Sequence, residues 1–183
     1  MKTIVLGDIH GRTIWKQIVE QDYDKVVFVG DYYDSFDIPF EAQHNNFLDI
    51  IEFKKSNPDK VILLIGNHDF HYMDAAKEQY SGFQHWHKGA LSMTFREHTN
   101  LLKVCHIEGN ILISHAGVTK TWLKRSGYTN ENIEEFINDL FVKDPYHFKF
   151  RGRDPYGDDI IQSPIWVRPH SLRIDKLDEY TMV

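Results

Sequence analysis

Side chains that typically bind metal ions recur in this sequence directly after short apolar runs. They stand in "GDIHGR", "GDYYDS", "GNHD" and "ISHAG", and are Asp8, His10, Asp31, Asp34, Asn67, His68 and His115. Carboxylate, amide and imidazole donors without a thiolate suit divalent ions such as manganese, iron or zinc. One carboxylate can bridge two such ions, which together can activate a hydroxide and neutralise charge on a phosphoryl group. These residue types therefore indicate metal-assisted hydrolysis.

Four β-branched runs precede these side chains and predict the strands that position them. The runs are "TIVLGD" at 3–8, "KVVFVGD" at 25–31, "KVILLIGNHD" at 60–69 and "NILISHAG" at 110–117. Their continuous apolar character is typical of strands covered on both faces. Ligands of open α/β sheets bind just beyond the carboxyl ends of the strands, which is where these polar residues fall.

Helical periodicity lies between the predicted strands. One apolar stripe covers Ile14–Val19 behind a Thr13 cap, and another covers Phe40–Ile51. A third helix is predicted from Phe83 to Leu101, and "TNENIEEFINDLF" at 129–141 predicts a fourth with acids in its first turn. Alternation of strands and helices indicates the α/β class.

Size and composition predict one domain over residues 1–183. A net charge of −6 argues against a nucleic-acid partner, because phosphate backbones are bound through an excess of Lys and Arg. The single cysteine, Cys105, is expected to be a small buried hydrophobe. The apolar run at 61–66 is too short for a membrane span and the N-terminal run too short for a signal peptide, so we expect no membrane partner and a cytoplasmic location.

The four motifs, in this order, resemble those of the calcineurin-like metallophosphoesterase superfamily. The "SHAG" form of the last motif is most similar to the phosphoprotein-phosphatase branch, which includes bacterial and phage serine/threonine phosphatases and symmetric dinucleotide-tetraphosphate hydrolases. The resemblance implies a fold of two packed mixed β-sheets flanked by helices. It also implies a metal-dependent phosphoesterase acting on a phosphorylated protein or a nucleotide, with monoesters, dinucleotide polyphosphates and diesters all open.

The resemblance further implies a role for each motif residue. Asp8 and His10 would hold one divalent ion, Asp31 would bridge two, and Asn67 and His115 would hold the second. Manganese is the expected metal, with iron and zinc as alternatives, and a metal-bridging hydroxide would attack phosphorus. His68 would protonate the leaving oxygen, oriented by Asp34, because a carboxylate behind an imidazole fixes its tautomer.

Substrate contacts are expected from arginines, whose planar fork matches phosphate oxygens. Arg168 in "SPIWVRP" resembles the phosphate-binding Trp-x-Arg element of this branch. Arg12 follows the first motif, and Asn67 is expected to contact substrate as well as metal. Arg151 and Arg153 are either further substrate contacts or part of a solvated loop.

Two features depart from the family pattern. Ser35 stands where the branch has a phosphate-clamping arginine. The closing Gly-His motif, which supplies a last metal ligand, has no counterpart, and "DEYTMV" at 178–183 resembles the start of the strand before it. A second interpretation is therefore a non-catalytic or partly metallated interaction module of the same fold, in which an exposed sheet edge would pair with another chain.

Other aromatic and histidine side chains have less specific interpretations. Tyr32, Tyr33 and Phe36 are expected to line the cleft, with core packing as the alternative. His71 is near enough in sequence to reach the site, but an exposed or packed histidine is the favoured interpretation. The "HWH" at 85–87 resembles a metal pair, but residues two apart on a helix point to different sides, so no site is predicted there.

Overall fold

The structure, a computed structural model, describes residues 2–73, 78–129 and 132–183. The chain forms two compact units, Met1–Leu102 and Lys103–Val183. Each unit contains a β-sheet and helices, which confirms the predicted α/β class with two sheets. No helix in the described part of the chain is both long and apolar enough to cross a membrane.

The sheet of the first unit has the strand order β1-β2-β3-β4. Its strands are β1 (Thr3–Leu6), β2 (Lys25–Phe28), β3 (Val61–Leu64) and the two-residue β4 (Leu102–Lys103), which spans the unit boundary. Strand β1 pairs parallel with β2, and β2 pairs parallel with β3. Val26, Val27 and Phe28 are fully buried, because the central strand is covered on both faces as its apolar run predicts.

The helices of the first unit follow the strands in alternation. They are α1 (Trp15–Ile18), α2 (Phe40–Ser56), α3 (Asn67–Phe70) and α4 (Lys88–His98), with 3₁₀ turns at His85–His87 and Thr99–Leu101. The second and third predicted helices are confirmed, the third as α4 with a 3₁₀ turn at each end. The first is a single turn that begins after Ile14 without a side-chain cap, so the Thr13 cap was wrong. One turn buries one face only: Trp15 is buried, whereas Ile14 is exposed.

The second unit is built around a smaller, mixed sheet of order β5-β6-β7. Its elements are β5 (Cys105–Glu108), β6 (Ile111–Ser114), α5 (Lys120–Arg125), α6 (Ile133–Lys143), a 3₁₀ turn (Pro145–Phe148), α7 (Pro169–Ile174) and β7 (Thr181–Met182). Strands β5 and β6 form an antiparallel hairpin whose two-residue turn begins with Gly109 at φ +62°, a conformation suited to glycine. Strand β7 pairs parallel with β6, which confirms the strand predicted in "DEYTMV".

Other predictions for the second unit are also met. The run at 110–117 forms β6, and Cys105 is buried on β5. The helix predicted over 129–141 is observed as α6, although residues 130 and 131 lie outside the described part of the chain. Asn132 caps α6 by accepting the N–H of Glu135. Strand β5 was not predicted, because its four alternating residues give a shorter signal than the continuous apolar runs of the predicted strands.

Candidate metal and acid–base centre

The loops that follow β1 and β2 lie against each other and continue the strand pairing. The N–H of His10 donates to the carbonyl of Asp31 at 2.7 Å, and the N–H of Gly11 donates to Tyr32 at 3.0 Å. Parallel neighbours end at the same edge of a sheet, so these backbone bonds hold the first two motif loops side by side. The side chains of the two motifs are thereby brought together.

The loops after β2 and β3 approach each other closely. A Cβ atom on Gly30, which has φ +103°, would stand 2.1 Å from the backbone nitrogen of Gly66. No side chain fits in that space, and the conformation itself is one that only glycine adopts readily. The second and third motif loops therefore depend on this glycine for their contact.

Three predicted site residues have left-handed backbone conformations. His10, Asp31 and Asp34 have φ values of 40°, 54° and 68°, and they are the non-glycine residues with positive φ among those described. Such conformations cost about 1–3 kcal/mol each and cluster at functional sites. The fold bears this cost at the positions where the sequence predicts chemistry.

Asp8, His10 and Asp31 bring their donor atoms together. Carboxylate oxygens of Asp8 and Asp31 lie within 4.8 Å of each other, and His10 Nε2 lies 3.9 Å from Asp31 Oδ2. His10 Nδ1 lies 2.5 Å from the carbonyl oxygen of Tyr33, so this nitrogen carries the proton and Nε2 keeps its lone pair. Two neighbouring carboxylates repel each other, and a cation relieves that repulsion. The donor set fits a divalent ion.

Asn67 and His68 begin helix α3 directly after the Gly30–Gly66 contact. Asn67 is buried at the first helical position. The backbone N–H of His68 donates to Asp31 Oδ1 at 2.9 Å, which ties the third motif to the second. The N-terminus of α3 thus faces the most buried of the candidate metal ligands.

Asp69 is a site residue that sequence reasoning missed. It is fully buried, and its carboxylate accepts backbone N–H groups from Asp31 (2.7 Å), Tyr32 (2.8 Å) and Gly66 (2.8 Å). Burial and the charge of Asp31 raise the pKa of Asp69, while the three N–H donors act in the opposite direction. Its position in the first turn of a helix after a strand was the available signal, since acids there commonly cap backbone N–H groups.

His68 and Asp34 form the predicted pair. His68 Nδ1 lies 2.9 Å from Asp34 Oδ2. Burial lowers the pKa of His68, but the bond to Asp34 and the charge of Asp31 outweigh it, so the pKa is raised overall. Burial would raise the pKa of Asp34, yet the hydrogen bonds from His68 and Tyr72 and the close approach of His71 leave it below its ordinary value. A charged carboxylate beside a readily protonated imidazole is suited to general acid catalysis.

His71 contacts this pair, so expecting it only to be exposed or packed was incomplete. It is buried as a packed histidine would be, but its Nε2 lies 2.7 Å from Asp34 Oδ2. Burial lowers the pKa of His71. The neighbouring Tyr72 donates its hydroxyl to Asp34 Oδ1 at 2.5 Å. The sequence places these residues on α3 and its end but does not show that they face Asp34.

Two of the three aromatic residues of the second motif pack in the core instead of lining a cleft. Tyr32 and Tyr33 are fully buried, and the Tyr32 hydroxyl donates to the carbonyl of Leu64. Phe36 is 86% exposed. Ser35, at the position of the family's arginine, donates its hydroxyl to Asp37 at 2.6 Å.

The remaining predicted residues lie in their own loops. In the first unit, Arg12 is exposed. The hydrogen bond from Ser35 and, to a smaller extent, the positive charge of Arg12 lower the pKa of Asp37. In the second unit, His115 directly follows β6, and the exposed Arg168 precedes α7, with Nε donating to the carbonyl of Tyr156 at 2.7 Å. The guanidinium of Arg151 stacks on Tyr146 at 5.3 Å.

The "HWH" segment forms a 3₁₀ turn. The ring of His87 stacks on Phe40 at 3.7 Å, while Trp86 is 97% exposed between the two histidines. His87 is therefore a packing residue, and none of the metal-ligand groups found among the described residues includes it or His85.

Comparison with known proteins gives one family match. A sequence model of the calcineurin-like phosphoesterase family matches residues 1–173. Curated protein sequences gave no match.

Two solved structures align with part of the chain. A protein serine/threonine phosphatase from Saccharomyces cerevisiae with similarity to human phosphatase PP5 is 18% identical, with a TM-score of 0.49, over 75% of this chain and 42% of that one. A metallophosphoesterase from Sphaerobacter thermophilus is 17% identical, with a TM-score of 0.41, over 64% of this chain and 47% of that one. This chain thus spans less than half the length of either structure.

Proposed function

Because this chain belongs to the calcineurin-like phosphoesterase family, we propose that it hydrolyses phosphoric esters at a dinuclear metal centre. The observation that carries the proposal is the convergence of Asp8, His10 and Asp31 beside the hydrogen-bonded pair of His68 and Asp34. The first group offers metal donors and the second offers a proton. Hydrolysis of a phosphate ester needs both.

The proposed metal ligands are Asp8, His10, Asp31, Asn67 and His115, and the proposed metal is manganese. Oxygen and imidazole donors without thiolate support that choice. Divalent ions bound by these residues would supply an acidified water as nucleophile and offset the negative charge of the phosphoryl group. The Tyr33 carbonyl supports the role of His10, because it holds the ring with Nε2 as the donor atom.

His68 is the proposed general acid and Asp34 its positioning partner. The bond from His68 Nδ1 to Asp34 leaves the Nε2 side of the ring to face the substrate. A proton delivered from there to the leaving oxygen avoids release of a strongly basic alkoxide. Against the lowering effect of burial, the bond to Asp34 raises the pKa of His68 and so favours the protonated ring.

Arg168, Arg12 and Asn67 are the proposed substrate contacts. The Nε of Arg168 is held by the carbonyl of Tyr156, and we propose its two terminal nitrogens as donors to phosphate oxygens. Replacing Arg168 with glutamine should then raise KM more than it lowers kcat. The same change at Arg151, whose guanidinium stacks on Tyr146, should leave KM unchanged.

The experiment is hydrolysis of p-nitrophenyl phosphate and bis-p-nitrophenyl phosphate with added Mn²⁺. The unchanged chain is compared with Asp31→Asn, which keeps an oxygen to accept the His68 N–H but removes the charge. Asp49→Asn on α2 is the matched control, because Asp49 is exposed and pairs with Lys16. We expect Mn²⁺-stimulated turnover that is lost in Asp31→Asn and kept in Asp49→Asn.

The preferred ester separates a monoesterase from a diesterase. Absence of Mn²⁺-stimulated turnover on both esters, or equal rates in Asp31→Asn and the unchanged chain, would overturn the proposed function.

A further inference from the structure

The Asp34 carboxylate is contacted on both of its oxygens. His68 Nδ1 and His71 Nε2 lie 2.9 Å and 2.7 Å from Oδ2. The Tyr72 hydroxyl lies 2.5 Å from Oδ1, and Gln84 Nε2 lies 3.5 Å from the same atom. With Asp34 2% exposed, this carboxylate takes its orientation from protein donors rather than from water.

His71 and Tyr72 are themselves held by the backbone of the segment Tyr80–Gln84. The N–H of Tyr80 donates to His71 Nδ1 at 3.3 Å, and the N–H of Gln84 donates to the Tyr72 hydroxyl oxygen at 2.8 Å. Since Nδ1 of His71 accepts, its proton lies on Nε2, which stands 2.7 Å from Asp34 Oδ2 although the N–H is not aimed at that oxygen in hydrogen-bond geometry. Since the Tyr72 oxygen accepts from Gln84, its own hydrogen is directed to Asp34. Tyr72 therefore connects the backbone N–H of Gln84 to Asp34 Oδ1 through two hydrogen bonds, and His71 places its Nε2 against Oδ2.

The segment Tyr80–Gln84 lies directly against Asp34. A Cβ atom on Gly82, which has φ +81°, would stand 3.0 Å from both Cβ and the carbonyl oxygen of Asp34. The absence of a side chain at Gly82 allows this approach. Asp34 is thus enclosed by α3 and its end on one side and by this segment on the other.

Aromatic packing holds the His71 and Tyr72 side chains in place. The Tyr72 ring stacks with Phe83 at 4.9 Å, and the His71 ring stacks with Tyr80 at 5.3 Å. Both residues are 2% exposed or less. These contacts and this burial oppose movement of the two rings away from Asp34.

We propose that His71 and Tyr72 are positioning residues that lock the Asp34 carboxylate, and through it the His68 ring, in the orientation for proton delivery. The proposal rests on the proposed function for its catalytic meaning. A carboxylate bound only by His68 could rotate about its own Cβ–Cγ bond, which would bend or break the hydrogen bond that orients the imidazole. The Tyr72 hydroxyl, which donates to Oδ1, and the buried His71 ring, which stands against Oδ2, oppose that rotation.

The activity test compares a good leaving group with a poor one. Expulsion of p-nitrophenolate needs little protonation, whereas expulsion of phenolate from phenyl phosphate depends on the general acid. We expect Tyr72→Phe and His71→Leu to lower the ratio of kcat on phenyl phosphate to kcat on p-nitrophenyl phosphate by about tenfold. His71→Gln, whose amide offers a donor near the position of Nε2, should restore most of that ratio.

The control is Tyr32→Phe, which removes another buried tyrosine hydroxyl, bonded to the Leu64 carbonyl and not to Asp34. It should lower stability and leave the ratio unchanged. A second measurement uses metal-free protein and needs no activity: ¹H–¹⁵N spectra of the His68 ring. We expect a protected Nδ1–H signal in the unchanged chain that is lost in His71→Leu and Tyr72→Phe.

The two proposals fail in different ways. Lack of turnover on every ester by the unchanged chain overturns the proposed function, and the His68 spectra then decide the positioning role. Equal loss of kcat on the two monoesters, or an unchanged His68 spectrum in both His71→Leu and Tyr72→Phe, overturns the positioning role.

Discussion

The Nδ1 atom of His10 lies 2.5 Å from the carbonyl oxygen of Tyr33, in the loop that also carries Asp31. This bond fixes which ring nitrogen of His10 can bind a metal, and it does so through backbone rather than through a second side chain. Backbone acceptors cannot be replaced by mutation, so the tautomer is a property of the fold.

His10→Ala should therefore weaken Mn²⁺ binding by at least about tenfold, because a donor atom is lost from the set formed with Asp8 and Asp31. Isothermal titration of Mn²⁺ into metal-free protein measures the change. His98→Ala, at the end of α4, is the control and should bind as the unchanged chain does. Equal affinity in both variants would remove His10 from the proposed ligand set.

Asp69→Asn should lower the free energy of unfolding by about 2–4 kcal/mol. Its carboxylate accepts three backbone N–H groups, and an amide NH₂ would face at least one of them, leaving a buried donor unpaired. Urea unfolding monitored by circular dichroism measures the loss. Asp59→Asn, at an exposed position, should change stability by less than about 0.5 kcal/mol. Matching curves for the two variants would show that Asp69 does not hold the motif loops together.

Gly30→Ala should prevent folding or lower the free energy of unfolding by more than about 3 kcal/mol. The new Cβ would overlap the Gly66 backbone nitrogen, and the residue would keep a strained positive φ. Gly89→Ala is the opposite case: it lies in α4 with open space around it, so it should stabilise by about 0.5–1 kcal/mol. Thermal unfolding of both variants tests the pair, and a Gly30→Ala variant as stable as the unchanged chain would contradict the close loop contact.

Glu134 should make the chain less stable in acid. Burial would raise its pKa, but hydrogen bonds from His106, the N–H of Ile107 and Lys103 lower it to about 2 from its ordinary 4.5. A lowered pKa in the folded state contributes stability that is present above pH 4.5 and lost as pH falls towards 2.

Glu134→Gln should thus reduce stability at neutral pH by about 1–2 kcal/mol, a figure that allows for solvent screening of this half-buried group. It should also flatten the dependence of the free energy of unfolding on pH between about pH 2 and pH 4.5. Glu135→Gln, on the exposed face of α6, should keep the wild-type curve in urea titrations. If the free energy of unfolding of Glu134→Gln falls with decreasing pH as steeply as that of the unchanged chain, other carboxylates cause the acid sensitivity.

The family and the fold class were predictable from the sequence. Four ordered motifs at strand ends indicated the calcineurin-like phosphoesterases, which the match over residues 1–173 confirms. The apolar runs indicated strands, and β1, β2, β3 and β6 lie within them. Such signals are local, because a run of a few residues carries both the strand propensity and the polar group that follows it.

The first helix was less predictable. Its apolar stripe suggested a longer helix with a Thr13 cap, but Ile14 is exposed and only one turn forms. A helix this short draws its stability from tertiary packing rather than from helix propensity. Trp15 is the residue of this turn that is buried. In the structure, Trp15 reaches Asn46 on α2 through its indole N–H.

The sequence by itself determined which residue types stand after each strand, and therefore the chemistry that we propose for this chain. Only the tertiary structure decided that Asp69 accepts two backbone N–H groups from the loop after β2 and that His71 faces Asp34. The physical reason is distance along the chain. Asp69 and Asp31 are 38 residues apart, and a hydrogen bond between them depends on how two loops meet rather than on any pattern within either loop.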